Sequence, residues 1–420
     1  MTVAGIVAEY NPFHTGHLYQ IEQTRKMLAG GQKCAVVAVM SGNYVQRGDF
    51  AVFNKHARAE AACRTPGGPD LVIELPAPYS VASAERFSAA AVYLLDRSGV
   101  VTHLSFGSEA GDIESLEKVA EFVETEEFSQ YLEAELEGGT LYPLARQRAV
   151  RKKLGAVSGL IETPNNILGV EYLRALKRFK SRITPITVKR MGTGHDSDRT
   201  EGNFASASKV RSMLLGGDAS EGMRFIPEAA AEIFGREMSR GSGPISMAMA
   251  DQAIMSQLRR MRAEDFEKIP DIGEGLNYRM EAALRKARDV REAADLAKSK
   301  RYTHSRIRRI LIRSYLGITS KWDTVLPPYI KVLAFNDAGR ELLREMKSRS
   351  SLPVIVKPAD ARRLYDDMTV RGDIIRELFE TEALATDLYM LACPSPDYRR
   401  AGYELVTSPV YVNSLPNNPA

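Results

Sequence analysis

The feature that most constrains the fold is an apolar run at the start of the chain, followed at once by a turn and a helix. Residues 3–8 are apolar and rich in β-branched side chains, which is typical of a buried strand. Asn11 and Pro12 then break the strand, because proline has no N–H to pair. Residues 18–28 predict a helix. A parallel α/β sheet places its ligand crevice at a strand-to-helix turn of this kind.

Two histidines and a glycine lie in this turn. His14 and His17 are three residues apart, so they share one face of the first helical turn. Gly16 between them allows a flat ring or a phosphate to approach the backbone. The unpaired N–H groups and the positive dipole end of the helix favour an anion. These features predict a nucleotide site, although the spacing alone also fits a surface pair or half of a metal site.

Four further apolar runs extend this pattern into a sheet. Residues 34–40, 70–75, 100–106 and 183–189 are predicted strands, separated by helical segments. This alternation indicates a doubly wound parallel α/β sheet. Strand-like runs become scarce after Gly217, where helical patterns rich in Arg, Met and Glu dominate.

The change in pattern predicts a domain boundary near residue 220. We expect a nucleotide-binding catalytic domain over residues 1–220 and a mainly helical domain over residues 221–420. A short strand at 352–357 and a helix at 373–389 predict a small α/β element at the end of the second domain.

Composition and cysteine usage indicate a globular protein of a reducing compartment. The chain has 420 residues, of which 44% are hydrophobic and 26% charged, so it is long enough for two or three domains. Its three cysteines show neither a metal spacing nor a disulfide pattern. The N-terminus lacks the features of a signal peptide, and no apolar run approaches the ~20 residues of a membrane helix. We expect a cytoplasmic protein with no membrane partner, and the oligomeric state stays open.

Residues that follow predicted strands or begin helices are candidate nucleotide contacts. Gly107 follows the fourth strand and would let adenosine or ribose approach, although an ordinary turn would also use it. Asn165 and Asn166 begin a helix, where an asparagine either caps the helix or offers its amide to the nucleotide. Arg190 and Met191 follow the fifth strand, and Arg190 is expected to face the same crevice.

A second helix start carries hydroxyl and cationic side chains. Ser206 and Ser208 lie beside Lys209 and Arg211. Serines at a helix start, together with two cations, can bind the β- and γ-phosphates of a nucleotide. The same residues also fit a serine N-cap with surface cations.

The second half contains a basic segment without acids, residues 296–322, in which aromatic side chains are interleaved. Such a segment is typical of an RNA-binding face, and a solvated basic helix is the alternative. At about 100° per residue, Arg306, Arg309 and Arg313 fall on one side of the helix, whereas Arg308 lies off it. We therefore predict RNA contacts at the first three arginines.

The residues around the histidines resemble a known family. Residues 14–17, His-Thr-Gly-His, are similar to the His-x-Gly-His signature of the nucleotidylyltransferase superfamily, which adenylylates substrates with ATP. The longer run at 9–14, Glu-Tyr-Asn-Pro-Phe-His, resembles the bacterial tRNA(Met) cytidine acetate ligase family. Residues 205–211 are similar to the superfamily's second signature. Segments 164–169 and 301–310 also resemble the ligase family, so the resemblance spans most of the chain.

This resemblance implies an ATP-dependent ligase that works in two steps. Acetate attacks the α-phosphate of ATP and gives acetyl-adenylate and pyrophosphate. The exocyclic amine of the wobble cytidine of elongator tRNA(Met) then attacks the acetyl carbon and releases AMP, which leaves N4-acetylcytidine. The first domain would bind ATP and the second domain tRNA. Mg²⁺ is expected with ATP, although the sequence has no cluster that fixes the ion.

The resemblance also assigns roles to residues. His14 and His17 would bind the phosphates in the transition state, with Lys209 and Arg211 on the pyrophosphate side. The predicted ATP contacts are Val7, Ala8, Glu9, Tyr10, Asn11, Pro12, Phe13, His14, Thr15, Gly16, His17, Leu18, Gly107, Asn165, Asn166, Arg190, Met191 and Ser206.

Two other functions stay open on the residues alone. An adenylyltransferase that makes a dinucleotide or cofactor would share the nucleotide site, but it would not need so long a second half or its acid-free basic segment. A catalytically inactive RNA-binding protein would keep the fold. Both histidines, Gly16 and a near-complete second signature argue against such a loss.

Overall fold

A mainly parallel sheet forms the centre of the protein. The structure, a computed structural model, describes residues 1–30, 33–190, 205–273, 275–299 and 301–413. The strands are β1 Thr2–Ala8, β2 Cys34–Ser41, β3 Tyr44–Val45, β4 Asp49–Phe50, β5 Leu71–Leu75, β6 His103–Ser108, β7 Thr184–Lys189, β8 Ile330–Phe335, β9 Val354–Ile355 and β10 Val410–Tyr411. Within the described residues, eight of them form the main sheet, in the order β10-β8-β5-β2-β1-β6-β7 with β9 beside β8. The strands β3 and β4 form a separate hairpin.

Helices pack against the sheet and continue into the second half of the chain. Those of the first half are α1 Thr15–Leu28, α2 Lys55–Arg64, α3 Ala77–Ser80, α4 Ala84–Arg97, α5 Ile113–Phe122, α6 Glu126–Glu137, α7 Tyr142–Leu154, α8 Pro164–Arg178 and α9 Ala207–Leu215. Those of the second half are α10 Ala219–Met223, α11 Glu228–Arg240, α12 Asp251–Leu258, α13 Ala263–Phe266, α14 Leu276–Lys286, α15 Val290–Ala297, α16 His304–Tyr315, α17 Asp337–Arg349, α18 Pro358–Arg362, α19 Gly372–Met390 and α20 Tyr403–Val406.

The predicted strands of the first half form the sheet. Every residue of β2 is buried, because apolar helices cover both faces of this central strand. The strand β1 pairs in parallel with β2 on one side and with β6 on the other, and β7 follows β6 in parallel. The carboxyl ends of these strands therefore lie at one edge of the sheet, which positions the turn that follows β1.

The C-terminal strands extend this sheet instead of forming an element of their own. The strand β8 pairs antiparallel with β5, and β9 and β10 pair with β8. The sequence prediction missed β8, because Lys331 interrupts its apolar pattern, and it overestimated the strand at 352–357, of which Val354–Ile355 is a strand. The sheet therefore contains strands from both sides of the predicted boundary at residue 220.

A buried cluster of charges joins β8 to the first half of the chain. The Nζ of Lys55 lies 2.6 Å from Glu74 Oε1 and 2.8 Å from Glu404 Oε2. The Nζ of Lys331 lies 3.0 Å from Glu74 Oε2 and also contacts Glu404. Burial, together with the charge of Glu74, raises the pKa of Glu382 in this cluster to about 8. At neutral pH Glu382 is therefore protonated, whereas the neighbouring lysines lower the pKa of Glu74 against the effect of burial and keep it ionised.

Candidate nucleotide site

A cavity of about 330 Å³ lies at the carboxyl ends of β1, β6 and β7, next to the starts of α1 and α9. This is the crevice position that the strand-to-helix turn predicts. The predicted residues that line the cavity are Val7, Ala8, Glu9, Asn11, His14, Gly16, His17, Gly107, Asn165, Arg190, Ser206 and Arg211.

Both histidines line the cavity, and backbone hydrogen bonds fix their rings. His14 is the N-cap of α1, where its Nδ1 accepts the Gly16 N–H at 3.0 Å. The Nδ1 of His17 accepts the His14 N–H at 3.3 Å. A ring nitrogen that accepts a hydrogen bond carries no hydrogen, so we assign the hydrogen of each neutral ring to Nε2. The ring centroids are 3.9 Å apart, so the two imidazoles lie side by side.

The glycine between the histidines is required by the ring of His14. A Cβ at Gly16 would lie 2.7 Å from Cε1 and 3.0 Å from Nδ1 of His14. Any larger side chain would therefore push the ring out of its capping position. The sequence predicts that Gly16 makes room for the ligand, and the structure adds that it makes room for the first histidine.

A cation from the second predicted signature reaches the histidine turn. Arg211 donates from Nη1 to the carbonyl oxygen of Asn11 at 2.7 Å and from Nη2 to Ser208 Oγ at 3.1 Å. Ser206 is the N-cap of α9, and its Oγ accepts the Lys209 N–H at 3.2 Å. The turn after β1 and the start of α9 are thereby joined into one site.

A buried arginine that the sequence left unassigned holds the strand ends together. Arg58 is fully buried and donates to the carbonyl oxygens of Phe53 at 2.9 Å and Ser41 at 3.0 Å. It also donates to the carbonyl oxygens of Glu9 and Gly42. These bonds fix the ends of β1 and β2 against each other, so Arg58 supports the site without lining it.

Almost the whole chain matches known proteins. Residues 1–404 match the HIGH Nucleotidyl Transferase family. The tRNA(Met) cytidine acetate ligase of Acetivibrio thermocellus is 37% identical over 421 residues, which cover 96% of this chain and 98% of that protein. The tRNA(Met) cytidine acetate ligase of Caldanaerobacter subterraneus is 39% identical and covers 93% of this chain and 96% of its own. The chain belongs to the tRNA(Met) cytidine acetate ligase family.

Solved structures of a relative share the fold. The crystal structure of apo Thermotoga maritima TmcAL matches with a TM-score of 0.92 at 34% identity, over 99% of this chain and 100% of that chain. The structure of the same protein bound with alpha-thio ATP matches with a TM-score of 0.91. The predicted family and the predicted fold class, a doubly wound α/β domain with a mainly helical second half, are therefore confirmed.

Several predicted contacts within residues 10–18 pack behind the histidines and do not line the cavity. Tyr10 and Phe13 are buried, and their rings contact His17 with centroids at 5.0 and 5.8 Å. Tyr10 has φ 44, and this left-handed conformation turns the backbone sharply after β1. Predicted contacts of this run that do not line the cavity are Tyr10, Pro12, Phe13, Thr15 and Leu18. Pro12 is buried, Leu18 packs against the core, and the Thr15 N–H donates to the carbonyl oxygen of Phe225 at 2.9 Å.

Of three further predicted contacts, two do not line the cavity and one lies outside the described residues. The Oδ1 of Asn166 accepts the N–H groups of Glu109 and Ala110 at 3.0 and 3.2 Å, so this buried amide holds the loop after β6 and does not line the cavity. Lys209 is not among the residues that line the cavity either, and its role on the pyrophosphate side stays a prediction. Met191 lies outside the described residues.

Asn165 does line the cavity and is held by a neighbouring carboxylate. Its Nδ2 donates to Glu109 Oε1 at 2.6 Å. Although burial raises the pKa of Glu109, hydrogen bonds from Asn165 and Thr163 outweigh it and lower that pKa, so the carboxylate stays charged. Gly107 lies next to Arg190, where a Cβ would come 3.3 Å from Arg190 Cγ.

The cavity also contains residues outside the predicted set of contacts. The loop between β3 and β4 contributes Gln46 and Arg47, the first residue of β4 contributes Asp49, and the helix α16 contributes Arg308. The loop follows the buried strand β2, and that position predicts that it lies beside the histidine turn. Arg308 gave no such signal, because it is distant in sequence and lies off the predicted face of its helix.

The predicted tRNA contacts on α16 have partners within the protein. Arg306 donates to the carbonyl oxygen of Asp271 at 2.9 Å, and Arg309 lies 3.4 Å from the carboxylate of the same residue. Arg313 is 1% exposed and donates to the carbonyl oxygens of Pro78 and Val81. Its prediction as a tRNA contact is therefore wrong, because the acid-free segment obtains acidic and carbonyl partners from other elements and turns this arginine inward.

Neither a metal-binding cluster nor a membrane-spanning helix occurs among the described residues. In the part of the chain that the structure describes, no group of three or more His, Cys, Asp or Glu side chains is placed to hold a metal ion. None of the helices formed by the described residues is both long and apolar enough to cross a bilayer.

Proposed function

We propose that this protein activates acetate with ATP and acetylates the wobble cytidine of elongator tRNA(Met) to N4-acetylcytidine. The observation that carries the proposal is that His14, His17 and Arg211 line one cavity at the carboxyl edge of the sheet, with both imidazoles held by hydrogen bonds to the backbone. Relatives that match along almost the whole chain are named for this reaction, and one of them has been solved with an ATP analogue.

The first step forms the mixed anhydride. A carboxylate oxygen of acetate attacks the α-phosphorus of ATP, the bond to the bridging oxygen breaks, and pyrophosphate leaves. His14 and His17 donate to the oxygens on which negative charge grows, and Arg211 binds the pyrophosphate side. This step needs oriented reactants and charge stabilisation, and it needs no protein nucleophile.

The second step transfers the acetyl group to tRNA. The exocyclic N4 of the cytidine attacks the carbonyl carbon of acetyl-adenylate, AMP leaves with the bonding electron pair, and N4 loses one proton. We assign ATP binding to residues 1–220 and tRNA binding to residues 221–420, with Arg306 and Arg309 as tRNA contacts. A cytoplasmic location follows from a tRNA substrate.

Mg²⁺ is expected to arrive with ATP, since it neutralises the phosphates. The carboxylates of Glu9 and Asp49, which line the described cavity, bind the Gln46 N–H and Arg308 respectively. These residues therefore do not form a ligand set for the ion, and no step is assigned to it.

The proposal is tested with purified protein, ATP, labelled acetate and elongator tRNA(Met). We expect acetate-dependent pyrophosphate–ATP exchange without tRNA, and N4-acetylcytidine in digested tRNA by mass spectrometry. A tRNA with uridine at the wobble position is the control and should stay unmodified. Absence of both acetate-dependent exchange and N4-acetylcytidine would contradict the proposal.

A further inference from the structure

One helix of the second half reaches into the nucleotide cavity. The helix α16 contributes Arg308 to the lining, beside Arg47 and Arg211 from the first half. The other arginines of this helix bind Asp271 or buried carbonyl groups, whereas Arg308 lines the cavity. The cavity is thus assembled from both halves of the chain.

An ion pair orients the guanidinium of Arg308, but one of its N–H donors has no hydrogen-bond partner among the described residues. Its Nη2 lies 2.5 Å from Asp49 Oδ2, and the two side chains are 25% and 35% exposed. The Nε of Arg308 is buried and has no hydrogen-bond partner among the described residues. A buried donor without a partner costs free energy, so the guanidinium of this lining residue keeps unused hydrogen-bonding capacity.

The backbone of the loop that precedes Asp49 is fixed against the same helix. Gly48 has φ +71, and a Cβ there would lie 2.5 Å from the Arg308 carbonyl carbon and from the Arg309 nitrogen. On its other side, the Gln46 N–H donates to Glu9 Oε1 at 2.7 Å. The loop is therefore held between the histidine turn and α16, which sets the position of Asp49.

The charges at this end of the cavity favour a polyanion. Burial lowers the pKa of Arg211, and the positive charges of Arg47 and Arg308 lower it further, against the opposing effect of Glu9 and Asp49. Counted over the described residues at this end of the cavity, three guanidinium groups and two carboxylates leave one net positive charge. Phosphate groups would compensate that charge through bidentate, charge-assisted hydrogen bonds.

We propose that Arg308 is a further nucleotide-binding residue, which binds the phosphates on the pyrophosphate side together with Arg211, and that Asp49 positions it. The identity of the nucleotide as ATP rests on the proposed function. Since α16 also carries the proposed tRNA contacts Arg306 and Arg309, one rigid helix connects the two substrates.

The test compares Arg308→Gln, Arg308→Lys and Asp49→Asn in the full chain. The Kd of ATP is measured by calorimetry without acetate or tRNA, and the KM of ATP by acetate-dependent exchange. We expect Arg308→Gln to raise both about 10- to 100-fold, since it removes a charge-assisted contact. Arg308→Lys should recover part of the loss. Asp49→Asn should give a smaller increase, and none when added to Arg308→Gln.

Arg376→Gln is the matched control. Arg376 forms a 2.9 Å pair with Asp366, and neither residue lines the cavity. This variant should bind ATP as the wild type does. Thermal unfolding of each variant with and without ATP checks the fold, and Arg308→Lys keeps the charge if the glutamine variant unfolds.

Three results separate the possible failures. If ATP binding stays at the wild-type value in the Arg308 variants while tRNA affinity falls, Arg308 is a tRNA contact and the inference is overturned. If the Arg308 and Asp49 variants lose stability equally with unchanged ATP binding, the pair is structural and the inference is also overturned. If the wild type binds ATP but shows no acetate-dependent exchange, the proposed function fails, and the Kd comparison still tests Arg308.

Discussion

His14 and His17 each have a structural role in capping α1 and a proposed chemical role as hydrogen-bond donors. Their Nδ1 atoms accept backbone N–H groups at the start of α1, which satisfies donors that a helix leaves unpaired. This assigns the ring hydrogens to Nε2. A substitution to alanine would remove the cap and the donor together, so less drastic changes are needed to separate them.

We predict that His14→Asn and His17→Gln keep α1 intact and lose acetate activation. Asparagine is a good N-cap and glutamine fits the capping box, but neither supplies a ring N–H. Loss of one transition-state donor should lower the rate of pyrophosphate release about 10²- to 10³-fold. His103→Gln is the control, because His103 begins β6 outside the cavity. A variant rate within a few-fold of the wild type would remove the histidine from the mechanism.

Gly16→Ala should separate activity from stability. The new Cβ would collide with the His14 ring at 2.7 Å, and misplacement of a donor by about 1 Å can cost about 10²-fold in rate. Alanine is a better helix residue than glycine by up to about 1 kcal/mol, so the melting temperature should change little. Gly235→Ala in α11 meets no atom within 4 Å and should leave activity unchanged. Full activity of Gly16→Ala would show that the ring tolerates the displacement.

At the level of elements, α16 distributes its arginines to different surroundings. Arg306 and Arg309 bind Asp271, Arg313 is buried, and Arg308 faces the nucleotide cavity. The helix can approach so closely because Gly48 has no side chain between the loop and the helix backbone.

Gly48→Ala should therefore damage the contact between the loop and α16. A positive φ costs a non-glycine residue roughly 1–2 kcal/mol, and the contact with the Arg308 backbone at 2.5 Å adds to this cost. Gly317 has a similar φ of +67, but a Cβ there meets no atom within 4 Å. The loss of stability in Gly317→Ala therefore measures the cost of the positive φ alone. Chemical denaturation should show a larger loss for Gly48→Ala. Equal losses in the two variants would mean that the contact carries no strain.

At the level of the whole molecule, the sheet and the buried ion cluster connect the two halves. The strand β8 covers β5, and its Lys331 contacts Glu74 and Glu404 in the interior. Because a buried charge without partners is very costly, these groups can remain charged only when both halves are folded together.

The protonation of the cluster can be tested by amide substitution. Glu382→Gln should change the free energy of unfolding by less than about 1 kcal/mol, because burial keeps the carboxyl protonated near neutral pH and the amide retains its shape. Glu74→Gln should cost about 3–5 kcal/mol, since it removes a charged partner from both Lys55 and Lys331. Urea denaturation measures both. Equal losses would show that Glu382 is also ionised in the folded protein.

The sequence by itself determined the main-sheet strands of the first half, the turn at the sheet edge and the place of His14, Gly16 and His17 in that turn. These features depend on local patterns: apolar runs form buried strands, a proline ends one of them, and residues three apart share a helical face. The family resemblance rests on the same contiguous residues, and the comparisons confirmed it.

Tertiary structure alone decided the places of Lys331, Arg308 and Arg313. In sequence they are charges in the second half, and the acid-free segment suggested a solvated or RNA-binding face. Their partners Glu74, Asp49 and Pro78 belong to distant parts of the chain. Whether a charge is buried, paired or directed to a ligand depends on which distant groups the fold brings within a few ångströms, and helical periodicity contains no information about those groups.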